Sequence, residues 1–158
     1  MTDQLDANLR TVLASWPATL RLTVPGLGDV LFCHATPRNE DEIFTKNTSE
    51  AALLPIFDGL GVSTVVCGHT HMQFDRRVGS TRVINAGSVG MPYGEPGAYW
   101  LLLGESSELR RTGYDLEAAV RRLQGSACPQ AEYFVRNNVL RCPPEAQMLE
   151  VLTKTELR

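Results

Sequence analysis

The chain has 158 residues, a formal net charge of -3 and 43% hydrophobic residues, enough for one domain with a real hydrophobic core. Its mild acidity argues against nucleic acid as the main partner, which needs concentrated Lys and Arg, but leaves a phosphate substrate open, because bound metal ions can supply positive charge. No apolar run is long enough to span a bilayer, the polar segment Met1–Arg10 is unlike a signal peptide, and the four cysteines, Cys33, Cys67, Cys128 and Cys142, have no CxxC spacing, so a reduced, cytoplasmic setting is expected.

In chain order, residues 3–15 place Leu5, Leu9, Val12 and Leu13 at helical spacing, and Pro17 stops the pattern. Thr19–Val24 and Asp29–Cys33 read as two strands of a hairpin around Pro25-Gly26-Leu27-Gly28. A polar segment then leads to a helix over Glu50–Leu60, with Ser49 as N-cap and Gly59 and Gly61 at its end. Val62–Cys67 reads as a buried strand, followed by strands at Phe74–Val78, Thr81–Asn85, Ala98–Leu103 and Glu108–Tyr114. Helices are expected at Asp115–Gln124, Pro129–Val139 and Pro144–Leu152. The class is mixed α/β, with residues 1–158 forming one domain and residues 115–158 a helical tail.

The chain has three histidines, His34, His69 and His71, and each follows directly after an apolar strand-like run. Strand ends are where ligand sites collect in α/β folds, and neutral imidazole is the commonest metal ligand. If the two strands are neighbours, the three rings cluster. Gly68 is expected to let the backbone turn sharply just before the His-Thr-His pair. A single histidine on a loop is usually a surface hydrogen-bonding residue, so the weight lies on the combination.

Three motifs carry a resemblance. Val30-Leu31-Phe32-Cys33-His34-Ala35-Thr36-Pro37 resembles the strand-then-His motif (HGxP or HAxP) of calcineurin-like metallophosphoesterases. Cys67-Gly68-His69-Thr70-His71 resembles their GHTH motif. Asn85-Ala86-Gly87-Ser88-Val89-Gly90 resembles NPGSVG, with Ala in place of Pro. The order and spacing agree over roughly residues 17–115, and the chain is similar to the small bacterial, YfcE-like branch. The resemblance implies a sandwich of two sheets flanked by helices, of which this chain is expected to be the C-terminal portion. It also implies a two-metal hydrolase of phosphomonoesters or phosphodiesters. His34 and His69 would bind one ion and His71 the other, the ions being about 3.5–4 Å apart. Mn, Fe, Ni or Zn suits such ligands. Gly68, Asn85, Gly87 and Ser88 would shape the site, and Arg38 is a candidate phosphate contact.

The same pattern also calls for DxH, GDxxDxG and GNxD motifs, which supply the carboxylates, and these are absent from the 158 residues. Three histidines without a bridging carboxylate do not hold two cations together. Little or no activity is therefore expected of this chain alone, and the competing reading is a noncatalytic metal-binding or interaction protein derived from the family. An open sheet face could be covered by self-association. Asp75, four residues after His71, is a candidate third ligand, but a strand-edge role is the preferred reading. Arg38, Asn39, Glu40, Asp41 and Glu42 read by preference as a solvated loop over a phosphate contact (Arg38) or metal hydration (the acidic trio), and Cys33 and Cys67 as core thiols over zinc ligands. A cupin is the weakest alternative, because no histidine follows His71.

Overall fold

In the computed structural model, which describes residues 5–157, the first element is α1 (Ala7–Ala14), capped by the Asp6 carboxylate, which accepts the Leu9 N–H at 2.9 Å. It is shorter than the predicted helix, whose residues 3 and 4 lie outside those described. The strands β1 (Thr19–Val24) and β2 (Gly28–Cys33) form the expected antiparallel hairpin. Its turn is of the Pro-Gly type: Leu27 N–H donates to the Val24 carbonyl at 3.0 Å, and Gly26 has φ +81°.

The segment after β2 crosses over through α2 (Glu50–Phe57) to β3 (Thr64–Cys67), which lies parallel to β2. Ser49 caps α2, and Pro55 sits inside it. The helix ends three residues before the expected Leu60. Asp58 leaves the helical region, at ψ +148°, and Gly59 and Gly61, at φ +71° and +66°, turn the chain away. All four residues of β3 are buried, as a strand covered on both faces requires. Next come β4 (Gln73–Val78) and β5 (Thr81–Ala86), joined by the Gly79-Ser80 turn. β5 inserts parallel to β3 and leaves β4 antiparallel at the edge, giving the order β1-β2-β3-β5-β4. The parallel strands exclude the nearly all-β chain of a cupin.

One face of this sheet packs on α2. Leu31, Val65, Cys67, Phe74, Val78 and Val83 from the strands meet Leu53, Ile56 and Phe57 of α2 and Phe44 of the crossover. Each fully buried large side chain contributes about 1.5–3 kcal/mol. Over the other face lies a second, two-stranded sheet of β6 (Ala98–Leu103) and β7 (Ser107–Thr112). Gln73 stitches the sheets together: its side-chain amide lies 3.2, 3.0 and 3.1 Å from the carbonyls of Ala86, Trp100 and Arg110. This mixed α/β two-sheet arrangement is the architecture expected from the sequence.

The helical tail comprises α3 (Leu116–Gln124), capped by Asp115, then α4 (Ala131–Phe134), a five-residue π-helical segment Val135–Val139, and α5 (Glu145–Thr153). It straps back onto the crossover, with Leu157 N–H donating to the Ile43 carbonyl at 2.8 Å and Thr48 Oγ1 to Glu156 at 2.6 Å. At the opposite end α1 buries none of its residues. Leu9, Val12, Leu13 and Trp16 stay exposed, as do Leu20 and Leu22 on the edge strand β1. The sequence reading expected such an open apolar face. Among the described residues, no helix is long and apolar enough to cross a membrane.

Candidate metal centre

The parallel strands β2, β3 and β5 point their C-terminal ends to one edge of the sheet. Each end delivers one of the three motifs: His34 after β2, Gly68 to His71 after β3, and Asn85 to Ser88 at the end of β5. Backbone and side-chain bonds lock the ends together. Gly68 N–H donates to the His34 carbonyl at 2.9 Å. The buried Asn85 amide donates to the Gly68 carbonyl at 2.6 Å and to Thr70 Oγ1 at 3.0 Å.

His34 and His69 meet. His34 Nε2 lies 3.1 Å from His69 Nδ1, with ring centroids 5.0 Å apart and planes tilted by 67°. Two imidazole nitrogens on one tetrahedral ion, each at about 2.0–2.1 Å, sit about 3.3 Å apart. The pair therefore has the separation of co-ligands, and without an ion one N–H···N hydrogen bond links them. His71 does not join this pair. Its ring packs against Tyr93, centroids 5.7 Å apart, and its Nδ1 is buried with no hydrogen-bond partner. Desolvation lowers the His71 pKa, opposed by the nearby Met91 backbone and aided by the other two histidines. A neutral ring with an unspent buried nitrogen is the state in which imidazole ligates a metal.

The backbone here is strained. His69 and His71 have φ of +66° and +58°, values that cost a residue with a Cβ about 1–3 kcal/mol each. Thr70 N–H donates to the Gly68 carbonyl at 2.8 Å, which closes a three-residue turn on His69. The sequence reading put the sharp turn at Gly68. The structure instead places the left-handed residues at the histidines, and Gly68 is not among the positive-φ glycines. Gly87 is the glycine the site requires. Its φ is +81°, and a Cβ there would lie 2.7 Å from Gln73 Cγ and 2.9 Å from Tyr99 Cβ. Its N–H donates to Asn85 Oδ1 at 2.9 Å, while Ser88 Oγ accepts from Met91 N–H at 3.0 Å.

The remaining candidates are engaged elsewhere. Arg38 forks onto Glu42 through Nε and Nη2, at 2.6–3.0 Å, and Thr36 Oγ1 donates to the same carboxylate at 2.6 Å. Glu42 is therefore buried and paired, not part of a solvated loop. The Arg38 hydrogen bonds hold its carboxyl below the usual range, against burial and with help from Thr36. Asp75 pairs with Arg82 across β4 and β5, which makes it a strand residue. Burial pushes the Cys33 thiol up to about 11 and the Cys67 thiol well above its ordinary value, so both stay protonated. Among the described residues, no group of three or more His, Cys, Asp or Glu is placed to hold a metal ion. The residues present thus fit two nitrogen positions on one ion and a separate imidazole, and leave the other positions unfilled.

Sequence reasoning missed Tyr93, which covers the His71 ring, and Thr70, which receives Asn85. With Met72, Gln73, Glu95 and Glu145, His71 and Tyr93 line a recess of about 360 Å³. Glu145 of α5 reaches it while paired with Lys46, so the tail forms part of its wall. The signal for Tyr93 was an aromatic residue inside the Gly- and Pro-rich loop after Asn85.

Over residues 4–107 the chain matches the calcineurin-like phosphoesterase superfamily domain, a match to the superfamily and not to a branch within it. No curated protein matches the chain. Among solved structures it is similar to a hypothetical protein of Pyrococcus horikoshii, with a TM-score of 0.69 and 18% identity over 85% of this chain and 54% of that one. It is also similar to a metallophosphoesterase of Sphaerobacter thermophilus, with a TM-score of 0.60 and 21% identity over 86% of this chain and 62% of that one. These are likenesses of fold, and the chain spans 54% and 62% of the two proteins' lengths.

Proposed function

We propose, because this chain belongs to the calcineurin-like phosphoesterase superfamily, that its strand-end histidines are the late half of a divalent-metal centre for phosphate-ester hydrolysis. The supporting observation is the 3.1 Å approach of His34 Nε2 and His69 Nδ1 across two parallel strand ends. In this reading His34 and His69 hold one ion, and His71 faces a second. A bound Mn, Fe, Ni or Zn ion supplies Lewis acidity and a water acidic enough to serve as nucleophile near neutral pH. The protein's part is to hold the imidazoles in place and keep competing groups away. Burial disfavours the protonated form of His71, Tyr93 covers its ring, and Cys33 and Cys67 remain protonated. Arg38 is committed to Glu42 and is not assigned to the phosphate. The substrate class is a small phosphate ester.

A second reading, a noncatalytic metal-binding protein, is favoured by the lack of any three-ligand group among the described residues. Two cations about 4 Å apart repel strongly unless carboxylates offset them. We therefore expect the 158-residue chain alone to retain at most one ion and to hydrolyse phosphate esters no faster than background. Elemental analysis of the purified chain and of its His34→Ala and His69→Ala variants tests the metal reading, which fails if the parent retains no ion. Hydrolysis of bis-p-nitrophenyl phosphate tests the second claim. Robust turnover abolished by His69→Ala would show that these residues suffice for catalysis.

A further inference from the structure

We propose that Asn85 is the positioning residue of the metal-facing loop. Its side-chain amide fixes the left-handed backbone on either side of Thr70 and so sets where the ring nitrogens of His69 and His71 lie.

Asn85 has no exposed surface, and both of its side-chain polar atoms are spent. Nδ2 donates to the Gly68 carbonyl at 2.6 Å and to Thr70 Oγ1 at 3.0 Å, and Oδ1 accepts the Gly87 N–H at 2.9 Å. A carbonyl can only accept and an N–H can only donate, so these partners allow only one orientation of the amide. The two residues it holds flank the strain. Gly68 precedes His69 and Thr70 precedes His71, the two positive-φ histidines of the turn. The Gly68 carbonyl already takes the Thr70 N–H, so Asn85 adds two bonds over the same turn. Gly68 also ties the loop to His34 through its N–H. Asn85 makes no hydrogen bond to an imidazole, yet its partners Gly68 and Thr70 flank His69 and His71, and Gly68 in turn bonds the His34 carbonyl.

An asparagine that only satisfied the end of a strand would affect stability and leave the ring geometry alone. A residue that sets the turn moves the rings. The functional half of this inference rests on the metal reading above, but the geometric half concerns the metal-free protein and is tested there.

The experiment uses the full chain with ¹⁵N-labelled histidine. In the parent protein the His34 and His69 rings, 5.0 Å apart by centroid, should give ring-to-ring cross-relaxation. Asn85→Asp keeps the shape but presents an acceptor to the Gly68 carbonyl. It should abolish that cross-relaxation, shift the His69 and His71 resonances, and weaken zinc binding on the order of 10–100-fold. Cross-relaxation that persists in a folded Asn85→Asp protein, with zinc affinity changed by less than about threefold, would overturn the proposal. If Asn85→Asp does not fold, Thr70 decides. Thr70→Val removes one acceptor of the amide and should weaken the cross-relaxation, while Thr70→Ser keeps the hydroxyl and should restore it. A Thr70→Val spectrum unchanged from the parent also overturns the proposal. Absence of zinc binding by the parent would count against the metal reading alone, since the ring contact is scored without metal.

Discussion

Substitution of His69 by glycine should give a more stable protein than substitution by alanine, reversing the usual order. At φ +66° any residue with a Cβ meets its own carbonyl, at a cost of about 1–2 kcal/mol that glycine escapes. Glycine loses more freedom on folding, about 0.5–1 kcal/mol relative to alanine. Both substitutions delete the 3.1 Å His34 contact equally, so that loss cancels in the comparison. The net expectation is that His69→Gly exceeds His69→Ala by about 0.5–1 kcal/mol, or about 1–4 °C in Tm for a chain of this size. The same comparison at His71, φ +58°, should give the same sign, although both variants also remove the orphaned buried Nδ1. Urea and thermal unfolding followed by circular dichroism measure it, with no metal added. Alanine more stable than glycine at both positions would refute the claim that the histidine turn stores strain. The matching functional result is that the glycine variant is the more stable of the two while both lose metal retention, as expected where backbone strain serves a site.

Two further outcomes test other parts of the site. Gly87→Ala should cost more than about 2 kcal/mol, because a Cβ would sit 2.7 Å from Gln73 Cγ at a φ of +81°; a midpoint within error of the parent in urea would contradict it. Glu42 has a lowered folded-state pKa, so its contribution is present above the unfolded carboxyl value of about 4.3 and is lost as pH falls through the folded value. Unfolding between about pH 6 and 3 should therefore show a steeper loss of stability in the parent than in Glu42→Gln, and equal slopes would sink the assignment.

The fold was largely legible because its signals are local. β3 is a continuous apolar run, α2 has a Ser cap, and each predicted strand reappears within about two residues of its expected bounds. Asp58 and the glycines at 59 and 61 show the limit of that reading: helical spacing of the apolar residues continued to Leu60, but the backbone leaves the helix at Asp58. The histidines were legible as strand-end residues, and their motif order named the family. Their exact relation was not legible, because spacing does not say which way a ring turns. A His-x-His pair on an extended strand points both rings to one side. Here both histidines are left-handed, so His69 reaches back to His34 while His71 turns to Tyr93. Likewise the Arg38–Glu42–Thr36 cluster lies within a seven-residue segment. The sequence offered its charges as a solvated loop, and only the fold shows that the carboxylate is buried.

This divides the labour at the site in a way no single motif reveals. β2 and β3 bring the three imidazole rings, and β5 brings none. Yet β5 carries the residue whose amide spans Gly68 and Thr70 and the glycine that makes room for the packing of Gln73 and Tyr99. A strained turn persists only where its surroundings over-determine it. Here the surroundings are two bonds from Asn85, one from Thr70 to Gly68 and one from Gly68 to His34. None of these depends on a metal ion, so the geometry of His34 and His69 is in place before any ion arrives. A site prepared in this way loses little freedom on binding. What it lacks in the residues described is negative charge, since Asp75, Glu42, Glu95 and Glu145 are each paired with a cation. In the proposed metal centre the histidines would set where an ion sits, and carboxylates beyond those four would set how many ions stay.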